Sequence, residues 1–165
     1  MLAAMLNEFR EEVATTRRVL QRVPADKLEW RPHSKSMTLG QLSIHVATIP
    51  GRLARITQAD SFDVSRGNFE PAQPKNAEEI HSAFEQSVSE AEEYLKGMTD
   101  ERARQGWRLM LKEQQIFEKP RVAVMRSIML NHWYHHRGQL SVYLRLLDVP
   151  VPVIYGRSAD ENPFG

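Results

Sequence analysis

The chain has 165 residues, 41% of them hydrophobic and 26% charged. That suits one domain with a core large enough to hold without disulfides or structural metals. Twenty-two basic residues against 21 acidic leave a formal charge of +1, so no strong field exists to draw in nucleic acid or an anionic membrane. Cysteine is absent, which excludes disulfides, thiolate metal ligands and a cysteine nucleophile. Any metal must be held through N and O atoms, and any thiol chemistry must bring its thiol with a substrate.

The first twelve residues reach an acid at Glu8 and so lack the apolar core of a secretory signal, and no apolar run approaches a membrane span. A cytoplasmic protein without a membrane partner is expected. Leu2, Leu6, Phe9, Val13, Thr16 and Leu20 recur at helical spacing with charged residues off that stripe, which predicts a first helix ending near Val23-Pro24. Past a loop carrying Trp30-Arg31-Pro32, the run Thr38-Leu39-Gly40-Gln41 reads as a capping box, with Met37 and Leu42 placed as a hydrophobic staple. A second helix therefore starts near Thr38. Its inner stripe is Leu42, His45, Ile49 and Ile56, and Pro50-Gly51 is expected to kink or divide it.

A polar stretch from about Asp60 to Lys75 reads as the longest loop. Asn76-Ala77-Glu78-Glu79 then looks like another N-cap, opening a third helix that runs to about Lys96-Gly97. Between 98 and 119 the pattern is weakest: Trp107 to Leu111 reads either as a short strand paired with Gln115-Ile116-Phe117 or as an irregular connection. Pro120 suits a first helical position, after which Val122, Met125, Met129, His132, His136, Leu140, Tyr143 and Leu147 mark one face of a long last helix. Arg126, Asn131, Arg137 and Arg145 fall on the opposite face. The Pro-containing segment 148–165 cannot continue the helix and is expected to dock as a non-helical tail. The fold expected is all-α: one four-helix bundle over 1–165, with an irregular crossover between the third and fourth helices.

Three of the six histidines lie in Asn131-His132-Trp133-Tyr134-His135-His136. An i, i+4 pair alone is a motif that chance supplies readily, so its phase and surroundings must decide. His132 and His136 sit about 40° apart on the apolar face, whereas His135 falls about 80° from its centre. A bundle that packs the second and last helices together brings His45 to the same point. Two readings stand on the residues alone. Each imidazole is a core group hydrogen-bonded to a neighbour, or the three share one Zn²⁺ or Ni²⁺ ion and leave a position open for substrate. His33 and His81 read as solvent-exposed, and Met125 and Met129 as packing. Arg17, Arg18, Arg52, Arg55 and Arg126 read as solvated helix faces, with a substrate-clamping role for one of them as the alternative. Tyr143 lies on the face of His136, where it reads as a core tyrosine or as a group orienting substrate. No phosphate loop, nucleophile elbow or HExxH occurs, and no glutamate stands beside the histidines as a general base.

Four pieces in order carry a family resemblance: Trp30-Arg31-Pro32, His45 within Gly40-Gln41-Leu42-Ser43-Ile44-His45, the segment His132 to Gln139, and Val151-Pro152-Val153-Ile154-Tyr155-Gly156. Together they resemble the DinB superfamily of DinB/YfiT-like metalloenzymes over essentially the whole chain. That resemblance implies a bundle of DinB-like connectivity, often a homodimer, with a divalent metal on His45, His132 and His136. It also implies a small-molecule substrate, since the superfamily includes S-transferases that use low-molecular-weight thiols and mycothiol-dependent maleylpyruvate isomerases. Metal-dependent hydrolysis and a non-enzymatic, stress-related dimer are the competing expectations. The superfamily's association with DNA damage raises nucleic-acid binding, against which the near-zero net charge argues. No residue is assigned a catalytic role beyond the three ligands.

Overall fold

A computed structural model describes residues 1–164, so Gly165 at the end of the expected tail lies outside the described residues. Helices α1 (Leu2–Leu20), α2 (Leu39–Gln58) and α3 (Ala77–Gly97) form three sides of a bundle. A last helix, built of α5 (Arg121–Val124), a π-helical segment (Met125–Leu130) and α6 (Asn131–Leu146), forms the fourth. The predicted caps are present. Thr38 Oγ1 accepts the Gln41 N–H at 3.1 Å while Gln41 Oε1 accepts the Thr38 N–H at 3.0 Å, and Asn76 accepts the Glu79 N–H at 2.9 Å. Each satisfies helix-start N–H groups that have no intrahelical partner.

Pro50 does not divide α2, which runs unbroken through it. A proline lacks the N–H that residue 46 needs for its carbonyl. Here the Val46 carbonyl instead accepts the indole N–H of Trp133 at 2.8 Å, and the next N–H, on Gly51, donates to Ser87 Oγ at 2.8 Å. Neighbouring helices thus serve the groups at the proline, and the helix survives.

The crossover is more regular than the all-α expectation. After the short helix α4 (Asp100–Arg104), β2 (Gly106–Leu111) pairs antiparallel with β3 (Gln114–Pro120), which bears out the strand reading of that stretch. The turn between them places Lys112 at φ 55°. Gly or Asn would ordinarily signal such a conformation, which is why the hairpin is faint in the sequence. The 60–75 loop contains a further strand, β1 (Ser61–Asp63), parallel to β2 in a sheet ordered β1-β2-β3. Three residues are too few to show a period. Arg121 fastens this region to the bundle from a fully buried position, donating to the carbonyls of Thr57 (2.8 Å) and Ala59 (3.0 Å) and to Asp60 Oδ1 (2.9 Å).

The buried stripe of α6 is Trp133, Arg137, Leu140 and Leu144, not the stripe through His132, His136 and Tyr143. The π segment accounts for the difference. A turn closed i→i+5 holds one residue more than an α turn, so phase carried forward from Met125 and Met129 slips by about one position. Arg137, placed outward by sequence phase, is therefore buried (1% exposed), pairing with Glu12 at 2.5 Å and donating to Thr16 Oγ1 at 3.0 Å. Arg126, Asn131 and Arg145 do face outward. Trp133 packs at the centre of the core, with its ring 5.7 Å from Phe9 and 6.4 Å from Phe84. The tail docks on α1 and α6: Glu161 pairs with Arg18 and Arg22, Asp160 with Arg145, and the Tyr155 hydroxyl with Glu12 and Arg137.

Candidate metal centre

His45 stands on α2 one turn before Ile49, and His132 and His136 stand one turn apart on α6. Because α2 packs along α6, the three rings meet edge to face, with centroids 5.2 Å (His45–His132), 4.5 Å (His45–His136) and 4.6 Å (His132–His136) apart. One ligand atom from each lies within 4.8 Å of the others, and all three side chains are half-buried. Among the described residues this is the one cluster of three or more histidine, aspartate or glutamate side chains that could hold a metal ion.

The donor geometry fits such an ion. Two imidazole nitrogens bound tetrahedrally at about 2.0–2.1 Å stand about 3.3 Å apart. The His45 and His132 Nε2 atoms are 3.4 Å apart. A direct N–H···N bond would ordinarily be shorter.

The remaining ring nitrogens are turned to other partners. His136 Nδ1 is 2.7 Å from Gln139 Oε1, so an Nδ1–H donating there leaves the Nε2 lone pair free for the cluster. The Ile128 carbonyl, inside the π segment, faces the His132 ring and partly offsets the effects that lower its pKa. Burial is the largest of those effects, with the charge of His136 next. His45 is pushed down to about 4, first by burial and then by the charges of His136, His132 and Arg52. Burial also lowers His136, against the Gln139 hydrogen bond. All three are thus held neutral near pH 7, the form that binds metal.

Beside the triad lies an apolar cavity of about 230 Å³, whose wall includes His45 and His132. Phe62, Val64 and Phe69 from the 60–75 segment cover it, and Trp107 and Leu109 of β2 line it. The tail, docked elsewhere, is not among its lining residues. Arg52 also lines it, two turns beyond His45 on α2.

The other sequence candidates separate. His135 is exposed and outside the cluster, though its ring is 4.9 Å from that of His136. His33 is exposed, and its Nδ1 accepts the Lys35 N–H. His81 is half-buried rather than exposed, and it too lies outside the cluster. The Tyr143 hydroxyl donates to the Met37 carbonyl at 3.3 Å, and its ring meets Trp30 edge-on at 5.7 Å. That bond joins the Trp30 loop to α6, as expected of a core tyrosine. Met125 and Met129 are buried in the core. Arg17, Arg55 and Arg126 pair on the surface with Glu85, Glu90 and Glu8. Sequence phase alone missed the cavity wall. Its available signals were Arg52 at i+7 from His45 and the pair Phe62 and Phe69 in an otherwise polar loop.

Fold and site together define a helical bundle with a three-histidine centre between its second and last helices. The chain belongs to the DinB family, whose model matches residues 1–162. It is 25% identical over 156 residues to the uncharacterised protein YrdA of Bacillus subtilis (strain 168), a match covering 94% of this chain and 89% of YrdA. Three DinB-family structures share the fold. A DinB-like protein from Bacillus cereus superposes with a TM-score of 0.70 at 22% identity, covering 91% of this chain and 95% of that one. The DinB-like YjoA from Bacillus subtilis gives 0.71 at 16% identity, with coverages of 92% and 96%. A DinB-family member from Exiguobacterium sibiricum gives 0.68 at 21% identity, with 92% and 95%. Among the described residues no helix is long and apolar enough to cross a membrane.

Proposed function

We propose that this chain is a metal-dependent enzyme in which His45, His132 and His136 hold Zn²⁺ or Ni²⁺ and a low-molecular-weight thiol is transferred to an electrophile seated in the adjoining cavity. The observation that carries this reading is that two members of the neutral donor set also form the cavity wall. A structural site would be closed on all sides, whereas a catalytic one keeps a position open. The bound ion supplies Lewis acidity, lowering the pKa of a thiol or water that reaches it.

The chain's own groups do the rest. Burial keeps the imidazoles unprotonated, Gln139 orients His136, and Phe62, Phe69 and Trp107 supply apolar wall to the cavity beside them. No carboxylate joins the cluster among the described residues, so no side chain stands ready as a general base. Deprotonation of the nucleophile then falls to the metal ion, and a thiol, with a free pKa of about 8.5 against about 15.7 for water, needs the smaller shift. With no cysteine in the chain, the thiol comes from a cosubstrate.

The test is metal content of the purified protein beside His132→Ala, followed by turnover of an electrophile with and without added thiol. Stoichiometric metal lost in the variant, with turnover that requires thiol, is the expected result. Equal, substoichiometric metal in both proteins removes the metal centre. Turnover indifferent to thiol removes the transferase reading in favour of hydrolysis.

A further inference from the structure

The cavity beside the triad is lined mainly by apolar side chains, with His45, His132 and Thr48 as its polar members and Arg52 as its one charged residue. Its guanidinium donates to the Asn68 carbonyl and lies 5.0 Å from the centroid of the Phe69 ring. Among the described residues no carboxylate pairs with it. The neighbouring Arg55, in contrast, is paired with Glu90. A guanidinium presents five N–H donors in a planar fork suited to a carboxylate, and the recorded Asn68 bond uses only one nitrogen. No acidic residue lines the cavity, so no carboxylate of its wall competes for the guanidinium. The fully buried arginines Arg137 and Arg121 meet counter-ions in Glu12 and Asp60, whereas Arg52, only partly buried, meets none among the described residues.

His45 and Arg52 are seven residues apart on one unbroken helix, about 10 Å along its axis. The cavity wall runs between them through Thr48 and Ile49. A ligand filling it would meet the histidine cluster at one end, apolar surface along its body and a cation at the other end. The geometry points to Arg52 as a specificity-determining residue that captures the carboxylate of a small apolar organic acid, setting the acid's far end against the triad. This rests on the triad being the reacting end proposed above. A carboxylate could also arrive on the thiol cosubstrate. The apolar lining favours the electrophile as its bearer, because a polar thiol peptide would lose hydration there without replacement hydrogen bonds.

The experiment is isothermal titration of the full chain with octanoate, octanamide and glutathione, for the wild type and Arg52→Met, each as purified and after chelator treatment. Methionine keeps the apolar stem and removes the charge, and circular dichroism checks that the variant folds. Octanoate should bind the wild type at least about tenfold more tightly than octanamide, the ratio expected for a charged hydrogen bond. Arg52→Met should abolish that preference. The preference should survive chelation, because it arises at the arginine. Equal binding of acid and amide by the wild type overturns the proposal, as does a preference that persists in Arg52→Met or disappears with the metal. Arg52-dependent binding of glutathione without binding of octanoate overturns the assignment to an apolar acid. Failure of the metal-centre reading shows separately, as absent metal in the wild type with the acid preference intact.

Discussion

The Trp133 indole donates to the Val46 carbonyl at 2.8 Å, the carbonyl that Pro50 deprives of its partner four residues on. Trp133 follows His132 and Val46 follows His45, so this bond joins α2 to α6 immediately beside two candidate ligands. An apparent defect in α2 thereby becomes the point that sets the spacing of the site.

Replacing Trp133 by Phe keeps an aromatic ring against Phe9 but removes the donor. Stability should fall by about 1–3 kcal/mol, the cost of a buried carbonyl left without a partner, read by urea denaturation of metal-free protein. A variant as stable as the wild type would show that the Val46 carbonyl is satisfied in another way.

At Gly51, α2 and α3 approach closely. A Cβ there would lie 2.8 Å from Ser87 Cα and 3.0 Å from Ser87 O, both backbone atoms that cannot swing aside. Gly51→Ala should cost about 1–3 kcal/mol through overpacking, despite the better helix propensity of alanine. A melting temperature equal to or above that of the wild type would contradict the close contact.

Gln139 is exposed and touches the site through His136 Nδ1. Gln139→Ala should leave the unfolding midpoint of metal-free protein nearly unchanged and weaken metal binding by about 10- to 100-fold, measured by competition with a chelator. Unchanged affinity would mean that Gln139 does not orient the ligand.

Acid should weaken the metal-free protein through the triad. His45 is lowered from 6.5 to about 4, and His132 and His136 are lowered too, so between these values the unfolded chain binds protons that the folded protein refuses. The stability from neutral imidazoles is therefore fully present above pH 6.5 and declines as pH falls toward about 4. Denaturation midpoints across this window should fall less steeply for His45→Gln than for the wild type. Parallel slopes would contradict the depressed value.

The buried Arg137–Glu12 pair should respond strongly to truncation. Arg137→Ala leaves a carboxylate with 12% side-chain exposure unpaired, and breaking such a pair costs about 3–5 kcal/mol. Chemical denaturation gives the value, and a loss below about 1 kcal/mol would indicate that water replaces the guanidinium.

Local signals account for what the sequence by itself determined. The capping residues Thr38 and Asn76 and the apolar spacing of the first two helices act over a few positions, and each survives in the folded chain. The triad was legible because His132 and His136 share one helix face, His45 lies in the inner stripe of the second helix, and the family resemblance implied the same three residues. Only the tertiary structure decided what depends on distant partners. The three residues of β1 acquire their identity from β2, and Pro50 is tolerated because Trp133 and Ser87 lie opposite it. Arg137 turns inward because the π segment shifts the phase of α6, a change of hydrogen-bond closure that hydropathy does not record. The cavity, with Arg52 at one end and His45 at the other, exists because the 60–75 segment and the hairpin fold back over α2, and no periodicity along the chain encodes that closure.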